Sequence, residues 1–140
     1  MGWTFYNASG QQLAATAEKA ATQAEMEAAS SVTVYAIPGR THNHPGVAKA
    51  WCQIDNGGAL SSPSYNVASI TDTAAGVRTI VWDTDFSTTV YACVGSRNEG
   101  VDGHERYDTF ATGSVRHIMN NADWSAGVDI AGGTAAFGDQ

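Results

Sequence analysis

The sequence predicts a mainly β protein in which an N-terminal arm and a short alanine-rich helix precede an antiparallel β-sandwich. From Ser31 onward apolar and polar residues alternate, and turn residues recur between short segments spaced by roughly 10–15 residues. No helical period separates these segments, which favours an antiparallel sandwich. The chain has 140 residues, enough for one domain and a short appendage. We expect residues 1–30 to form the attachment arm and helix and residues 31–140 the sandwich.

The predicted strands are short, and turn signals that contain glycine, proline or asparagine recur between them. They cover residues 32–37, 48–54, 65–71, 76–82, 89–95, 113–119, 128–131 and 135–137. Trp51 and Trp82 fall within predicted strands, so we expect them in the core or an interface.

The N-terminal arm is rich in aromatic residues, with Trp3, Phe5 and Tyr6 close together. Chain ends fray unless they are tied down. The arm therefore either packs against another subunit or particle, or forms the first strand of the same domain.

Two capping boxes, Ser9 to Gln12 and Thr22 to Glu25, predict one helix or two between the arm and the sandwich. The apolar stripe of this segment is almost entirely alanine, so it buries little area and needs a neighbour. That neighbour is either other copies around a symmetry axis or the chain's own sandwich. The stripe consists of Leu13, Ala17, Ala20, Ala24 and Ala28.

Composition excludes several classes of function. The net charge is −7 and no segment concentrates basic residues, which argues against nucleic-acid binding. No apolar run approaches the roughly 18–20 residues that span a bilayer, and the first residues do not resemble a signal peptide. We therefore expect a protein made in the cytosol that does not insert into membranes. Cys52 and Cys93 are expected to be free core residues, the alternative being a cross-link between neighbouring strands.

No catalytic motif is found, and the sequence predicts no enzyme. Asp83 and Asp85 resemble a polar hairpin connection more than an acid/base pair or a calcium site. His42 and His44 would lie on one side of an extended segment, and three copies around an axis would present six imidazoles to a transition metal. The alternative is that His44 caps the turn before Pro45 while His42 is solvated. No cofactor is predicted beyond this metal.

Residues 96–112 lack a clear period and are rich in charged groups. Long irregular loops in compact domains are often functional. We therefore expect an exposed contact loop here that presents Arg97, Asp102, His104, Arg106 and Tyr107.

Several segments together resemble appendage proteins of tailed bacteriophages, especially those of marine and alphaproteobacterial hosts. The first segment starts at Trp3 and ends at Leu13, and a helix followed by the turn Pro38-Gly39-Arg40 is similar to the linker before terminal fibre domains. The stretches around Trp51, Tyr65 and Tyr91 resemble terminal β-domains of such proteins.

The resemblance implies a homotrimer located in the virion, contacts with other virion proteins, and contact with a host surface receptor or glycan. It leads us to expect a short fibre or spike subunit. A capsid decoration protein of the head-fibre type and a soluble carbohydrate-binding module are the alternatives. The last would require an aromatic platform such as Trp51, Trp82 or Trp124 exposed in a groove.

Overall fold

A computed structural model describes Ser9, residues 20–28, Ala36, residues 38–98 and residues 102–140. The chain divides into two compact units, Met1–His44 and Pro45–Gln140. The sequence had placed this division after residue 30. Most of the aromatic arm and the first predicted capping box lie outside the described residues.

In the N-terminal unit, helix α1 spans Gln23–Ala28 and a 3-10 helix spans Pro38–Asn43. The second predicted capping box is confirmed: the Thr22 amide donates to Glu25 Oε2 at 2.8 Å, and the Glu25 amide donates to Thr22 Oγ1 at 3.3 Å. Among the described residues of this unit, the buried apolar ones are Ala21 and Met26. Ala24, by contrast, is exposed and Ala20 is half-buried, so within one chain the predicted stripe is not the buried side of this helix.

The second unit contains eight strands: β1 Ala50–Ile54, β2 Leu60–Tyr65, β3 Val67–Ala74, β4 Val77–Trp82, β5 Ala92–Arg97, β6 Gly103–Ala111, β7 Ser114–Asn121 and β8 Gly132–Phe137. They form two four-stranded antiparallel sheets. Sheet I has the order β2-β1-β8-β5 and sheet II the order β3-β4-β7-β6. The predicted β-sandwich is confirmed.

Three hairpins and four crossings between the sheets connect the strands of this unit. β1–β2, β3–β4 and β6–β7 are hairpins, and the other connections pass from one sheet to the other. At the first crossing Asn66 has a φ of 53°, and its side-chain oxygen accepts a hydrogen bond from the Thr84 amide at 2.6 Å. Asn tolerates this left-handed conformation better than most residues. Asp83 and Asp85 lie exposed in the crossing from β4 to β5, so the predicted hairpin connection is wrong.

The core lies between the two sheets. The inner residues of β1 and β4 alternate with outward ones, as a period of two requires. At one end an aromatic group fills the space: Phe86 stacks on Tyr91 with ring centres 4.2 Å apart, and Trp82 meets both rings edge-on. Trp82 is therefore a core residue, as the sequence predicts.

Several predicted elements differ from the observed ones. The predicted strand over residues 128–131 is not present, and β8 begins at Gly132, where a turn was expected. Strand β2 was also not predicted. Pro63, which follows a cis peptide bond, lies within this strand but is typical of a turn.

Cys52 and Cys93 are both free and lie on strands that flank β8. Adjacent strands are about 4.8 Å apart, so two strands separated by a third are roughly 10 Å apart. A disulfide needs Cα atoms within about 7 Å. The strands are not neighbours, and the alternative of a cross-link between them is wrong.

Candidate functional site

The outer face of sheet I carries the largest exposed apolar side chains of that sheet. Along β1, Ala50, Cys52 and Ile54 point into the core, and this parity turns Trp51 and Gln53 outward. Trp51 is 38% exposed. It lies on the sheet surface and not in the core.

A row of side chains crosses the four strands at the level of Trp51. Tyr65 on β2 pairs with Trp51, Trp51 pairs with Ala135 on β8, and Ala135 pairs with Val94 on β5. Tyr65 and Val94 are 50% and 55% exposed. Three large apolar groups therefore share one face and are interrupted by a small residue.

The next row along the strands is polar. Gln53 pairs with Ser61 on one side and with Gly133 on the other, and Gly133 pairs with Ser96. The side-chain nitrogen of Asn98 donates to Gln53 Oε1 at 3.3 Å. The apolar row is thus followed by neutral groups that form hydrogen bonds.

The two rows form a trough along β8, because this central strand has small residues on its outer face while its neighbours have larger ones. The trough has a volume of about 290 Å³. Its floor is Gly133 and Ala135, and its walls are Trp51 and Gln53 on β1 and Val94 and Ser96 on β5.

Gly133 keeps the floor open. A methyl group added at its Cα would lie 2.7 Å from Gln53 Nε2 and 3.2 Å from Ser96 Oγ. The amide and the hydroxyl therefore converge over a position that only glycine leaves vacant. A second, polar groove of about 470 Å³ continues from Gln53 and includes Asp55, Ser61 and Asn98.

A buried polar cluster lies between the sheets, and its members come from strands of both. The carboxylate of Glu105 on β6 lies 2.8 Å from His117 Nε2 and accepts a hydrogen bond from the Tyr107 hydroxyl at 2.7 Å. The Tyr107 oxygen is also 3.0 Å from Thr134 Oγ1. Since Tyr107 has one proton to donate, Thr134 must be the donor in this last bond.

The pKa values of this cluster follow from burial and pairing. Burial alone would raise the pKa of Glu105, but the hydrogen bonds from His117 and Tyr107 and the charge of Arg97 outweigh it, and this pKa is lowered. Burial raises the pKa of Tyr107. Tyr107 therefore stays protonated and Glu105 ionised. The hydrogen bond between Tyr107 and Thr134 links the two sheets.

The prediction that residues 96–112 form a loop is wrong for most of that length, because they include the end of β5 and the whole of β6. Their role in contact with a receptor stays a prediction. Arg97 is half-buried and donates to the Asn120 carbonyl at 3.0 Å. Tyr107 faces the interior. Asp102 and Arg106 are exposed, and Arg106 Nη1 lies 3.8 Å from Asp108 Oδ2.

His104, also predicted in that loop, belongs to a separate exposed feature. Its ring stacks on Trp124 with centres 4.1 Å apart, and its Nε2 is 3.0 Å from the Ala122 carbonyl oxygen. Trp124 is 51% exposed and has a φ of 61°. It lies on a surface turn and not in a groove with Trp51.

The predicted metal ligands do not lie on an extended segment. His42 is part of the 3-10 helix and is exposed, while the His44 amide donates to the Thr41 carbonyl at 3.1 Å. That bond agrees with the alternative in which His44 ends a turn. Within the described residues no group of three or more His, Cys, Asp or Glu side chains is arranged to hold a metal ion. A site shared by three chains stays a prediction.

Of the predicted attachment residues, the structure describes only Ala20 and Ala24. The others lie outside the described residues: Trp3, Phe5, Tyr6, Leu13 and Ala17. In the described parts of the chain, no helix has the length and hydropathy needed to cross a bilayer.

Sequence reasoning missed the trough. The available signal was the parity of β1: if Cys52 and Ile54 are core residues, Trp51 and Gln53 must face outward. The floor of the trough was not predicted because Gly132-Gly133 is typical of a turn.

Comparison with protein-family models, with curated proteins and with solved structures finds no match to this chain.

Proposed function

We propose that this protein is a structural subunit of a bacteriophage particle, a short trimeric fibre or spike that acts by binding and not by catalysis. The observation that carries the binding role is the exposed Trp51 at the wall of a trough on the outer face of sheet I. Large apolar groups on a surface mark interaction sites when they are contiguous. The particle itself is proposed from the resemblance of the chain to phage appendage proteins.

Division of the chain into two units supports this role. An appendage needs one part that attaches and one that is displayed, and residues 1–44 and 45–140 provide two separate units. We assign trimerisation and attachment to the aromatic arm and the alanine-rich segment. Ala24, which is exposed within one chain, is available for contact with other copies.

Two measurements test this function. Gold-labelled antibody against the purified chain should label intact particles in electron micrographs, and sedimentation should give three times the chain mass. Replacing Ala24 with Glu should reduce the trimer to monomers, because a charge would enter the close contact. The same change at Ala36, which is also exposed, is the matched control and should leave the trimer intact. A strictly monomeric chain that is missing from particles would contradict the proposal.

The position of the gold label separates two forms of the same proposal. Label at the tail supports a host-contacting fibre, and label over the head supports a capsid decoration protein of the head-fibre type.

A soluble carbohydrate-binding module is the second candidate function. It required an aromatic platform in a groove, and Trp51 meets that requirement. This candidate would be favoured if the chain binds glycans but is found only in the fraction from which particles have been removed.

A further inference from the structure

We propose that the trough on sheet I is a binding site for a neutral oligosaccharide, with Trp51 as the stacking platform and Gln53 and Ser96 as the hydrogen-bonding groups. The place of this site on a particle rests on the proposed function, whereas its chemistry follows from the residues of the trough alone.

The apolar component of the site is aromatic and flat. Trp51 exposes 38% of its surface at the wall, above a floor of Ala135 and facing Val94. The C–H face of a sugar ring packs on an indole ring and leaves its hydroxyl groups at the ring edge. Tyr65 lies beside Trp51 on the neighbouring strand and extends the aromatic surface outside the trough.

A hydrogen bond within the protein positions the amide of this polar component. Asn98 donates to Gln53 Oε1, and both Gln53 Nε2 and Ser96 Oγ border the space above Gly133. An amide and a hydroxyl both donate and accept hydrogen bonds, as the hydroxyl groups of a sugar do. Preorganised groups bind with less loss of side-chain entropy.

Charge selects a neutral ligand. Among the described residues that line the trough and the adjoining groove, Asp55 alone is charged. Its Oδ1 already accepts hydrogen bonds from the Gly57 and Ala59 amides at 2.9 and 2.8 Å. No cation lines either groove in the described part of the chain, and the net charge is −7. Phosphates, sulfates and sialic acids would therefore be disfavoured.

The two grooves are continuous at Gln53, which lines both. Their volumes of about 290 and 470 Å³ provide room along the sheet for more than one sugar ring. A short chain of sugars would lie along β8, with one ring on Trp51 and the next near Ser61 and Asn98.

The test begins with the fluorescently labelled full chain on a printed array that carries neutral, sialylated and sulfated oligosaccharides. We expect binding to a subset of the neutral ones. The best neutral oligosaccharide is then titrated in solution and followed by calorimetry. Replacing Trp51 with Ala should weaken binding about tenfold, and replacing Gln53 with Ala roughly three- to tenfold.

Two further variants make the test specific to the trough. Gly133→Ala should weaken binding as much as Gln53→Ala, because the added methyl group displaces the amide. Trp124→Ala is the matched control, since Trp124 is also exposed but lies with His104 on a surface turn outside the trough. The affinity of this variant for the oligosaccharide should equal that of the wild type. The thermal midpoint of each variant is measured to check that the chain is folded. If a trough variant does not fold, Trp51→Phe takes its place, and we expect it to retain part of the affinity for the oligosaccharide.

Several outcomes would overturn the glycan site. These are binding to acidic oligosaccharides only, no binding at all, or equal losses for the Trp51 and Trp124 variants. A further one is self-association of the chain that Trp51→Ala abolishes, which would assign the trough to an interface between copies. Labelling of particles by antibody is independent of these four outcomes. A chain that binds no glycan could still be part of a virion, and a chain that is missing from particles could still bind the oligosaccharide.

Discussion

His117 Nε2 lies 2.8 Å from Glu105 Oε1 in the space between the two sheets, with the imidazole fully buried. An ionised carboxylate has no proton to give, so the imidazole donates from Nε2. Tyr107 stacks on the same imidazole with ring centres 4.8 Å apart and donates to the same carboxylate oxygen. One carboxylate thus organises two aromatic rings of the core.

Replacing Glu105 with Gln should lower the free energy of unfolding at pH 7 by about 1–3 kcal/mol, because hydrogen bonds to an ionised acceptor are lost. The lowered pKa of Glu105 adds a pH dependence. Its contribution is fully present above the unfolded-state pKa of about 4.3 and is lost as the pH falls through the lower folded-state value.

The difference between wild type and Glu105→Gln should therefore shrink as the pH is lowered from about 5 toward 3. Urea unfolding at a series of pH values measures it. Asp139→Asn, at an exposed carboxylate, is the control and should show no such change. A difference that stays constant across this range would contradict the prediction.

Replacing Tyr91 with Phe should destabilise the sandwich by about 1–2 kcal/mol. The Tyr91 oxygen lies 2.7 Å from the Ser114 carbonyl oxygen and accepts a hydrogen bond from Trp82 Nε1 at 3.3 Å. Without the Tyr91 hydroxyl, the Ser114 carbonyl and the Trp82 indole N–H would each lose a partly buried hydrogen bond. Tyr65→Phe, at an exposed tyrosine, should change stability by less than about 0.5 kcal/mol in the same urea measurement.

Gly76 should not tolerate a side chain. Its φ is 70°, and an added Cβ would lie 2.2 Å from the Met119 carbonyl oxygen and 2.5 Å from the Val128 amide nitrogen. We expect Gly76→Ala to cost about 3 kcal/mol or more, since backbone strain and a clash with backbone atoms act together.

Gly57→Ala is the matched control for this substitution. Its added Cβ would meet only Asp55 Oδ1, at 3.4 Å, an ordinary contact. The thermal midpoint of Gly76→Ala should be clearly lower than that of Gly57→Ala. Equal midpoints would contradict the close approach of Met119 and Val128 to Gly76.

Both cysteines should be unreactive in the folded protein. Burial raises the pKa of Cys52 to about 11 and that of Cys93 to about 12, so little thiolate exists at pH 8. A thiol reagent that forms a coloured product should label neither residue in buffer and both in urea. Because both thiols are free, a reducing agent should leave the thermal midpoint unchanged. Rapid labelling of the folded chain would contradict this account.

Local patterns were sufficient for much of the fold. Alternation along β1 and β4 identified both strands, and the pairing of Thr22 with Glu25 identified the start of α1, because each depends only on nearby residues. Residue types that favour turns led to two wrong predictions. Pro63 and Gly133 were interpreted as turn residues, although both lie in strands. The charged residues of β6 suggested a loop because Glu105 and Tyr107 find their partners on β7 and β8, far along the chain.

The sequence by itself determined the class of fold, the capped helix and the low cationic charge, since composition and short-range periodicity carry that information. The tertiary structure alone decided which strands are neighbours. Placing β8 between β1 and β5 separates Cys52 from Cys93 and puts Gly133 and Ala135 between larger side chains. A trough of this kind arises from three strands that are distant in sequence, and pairing across a sheet cannot be read from any one of them.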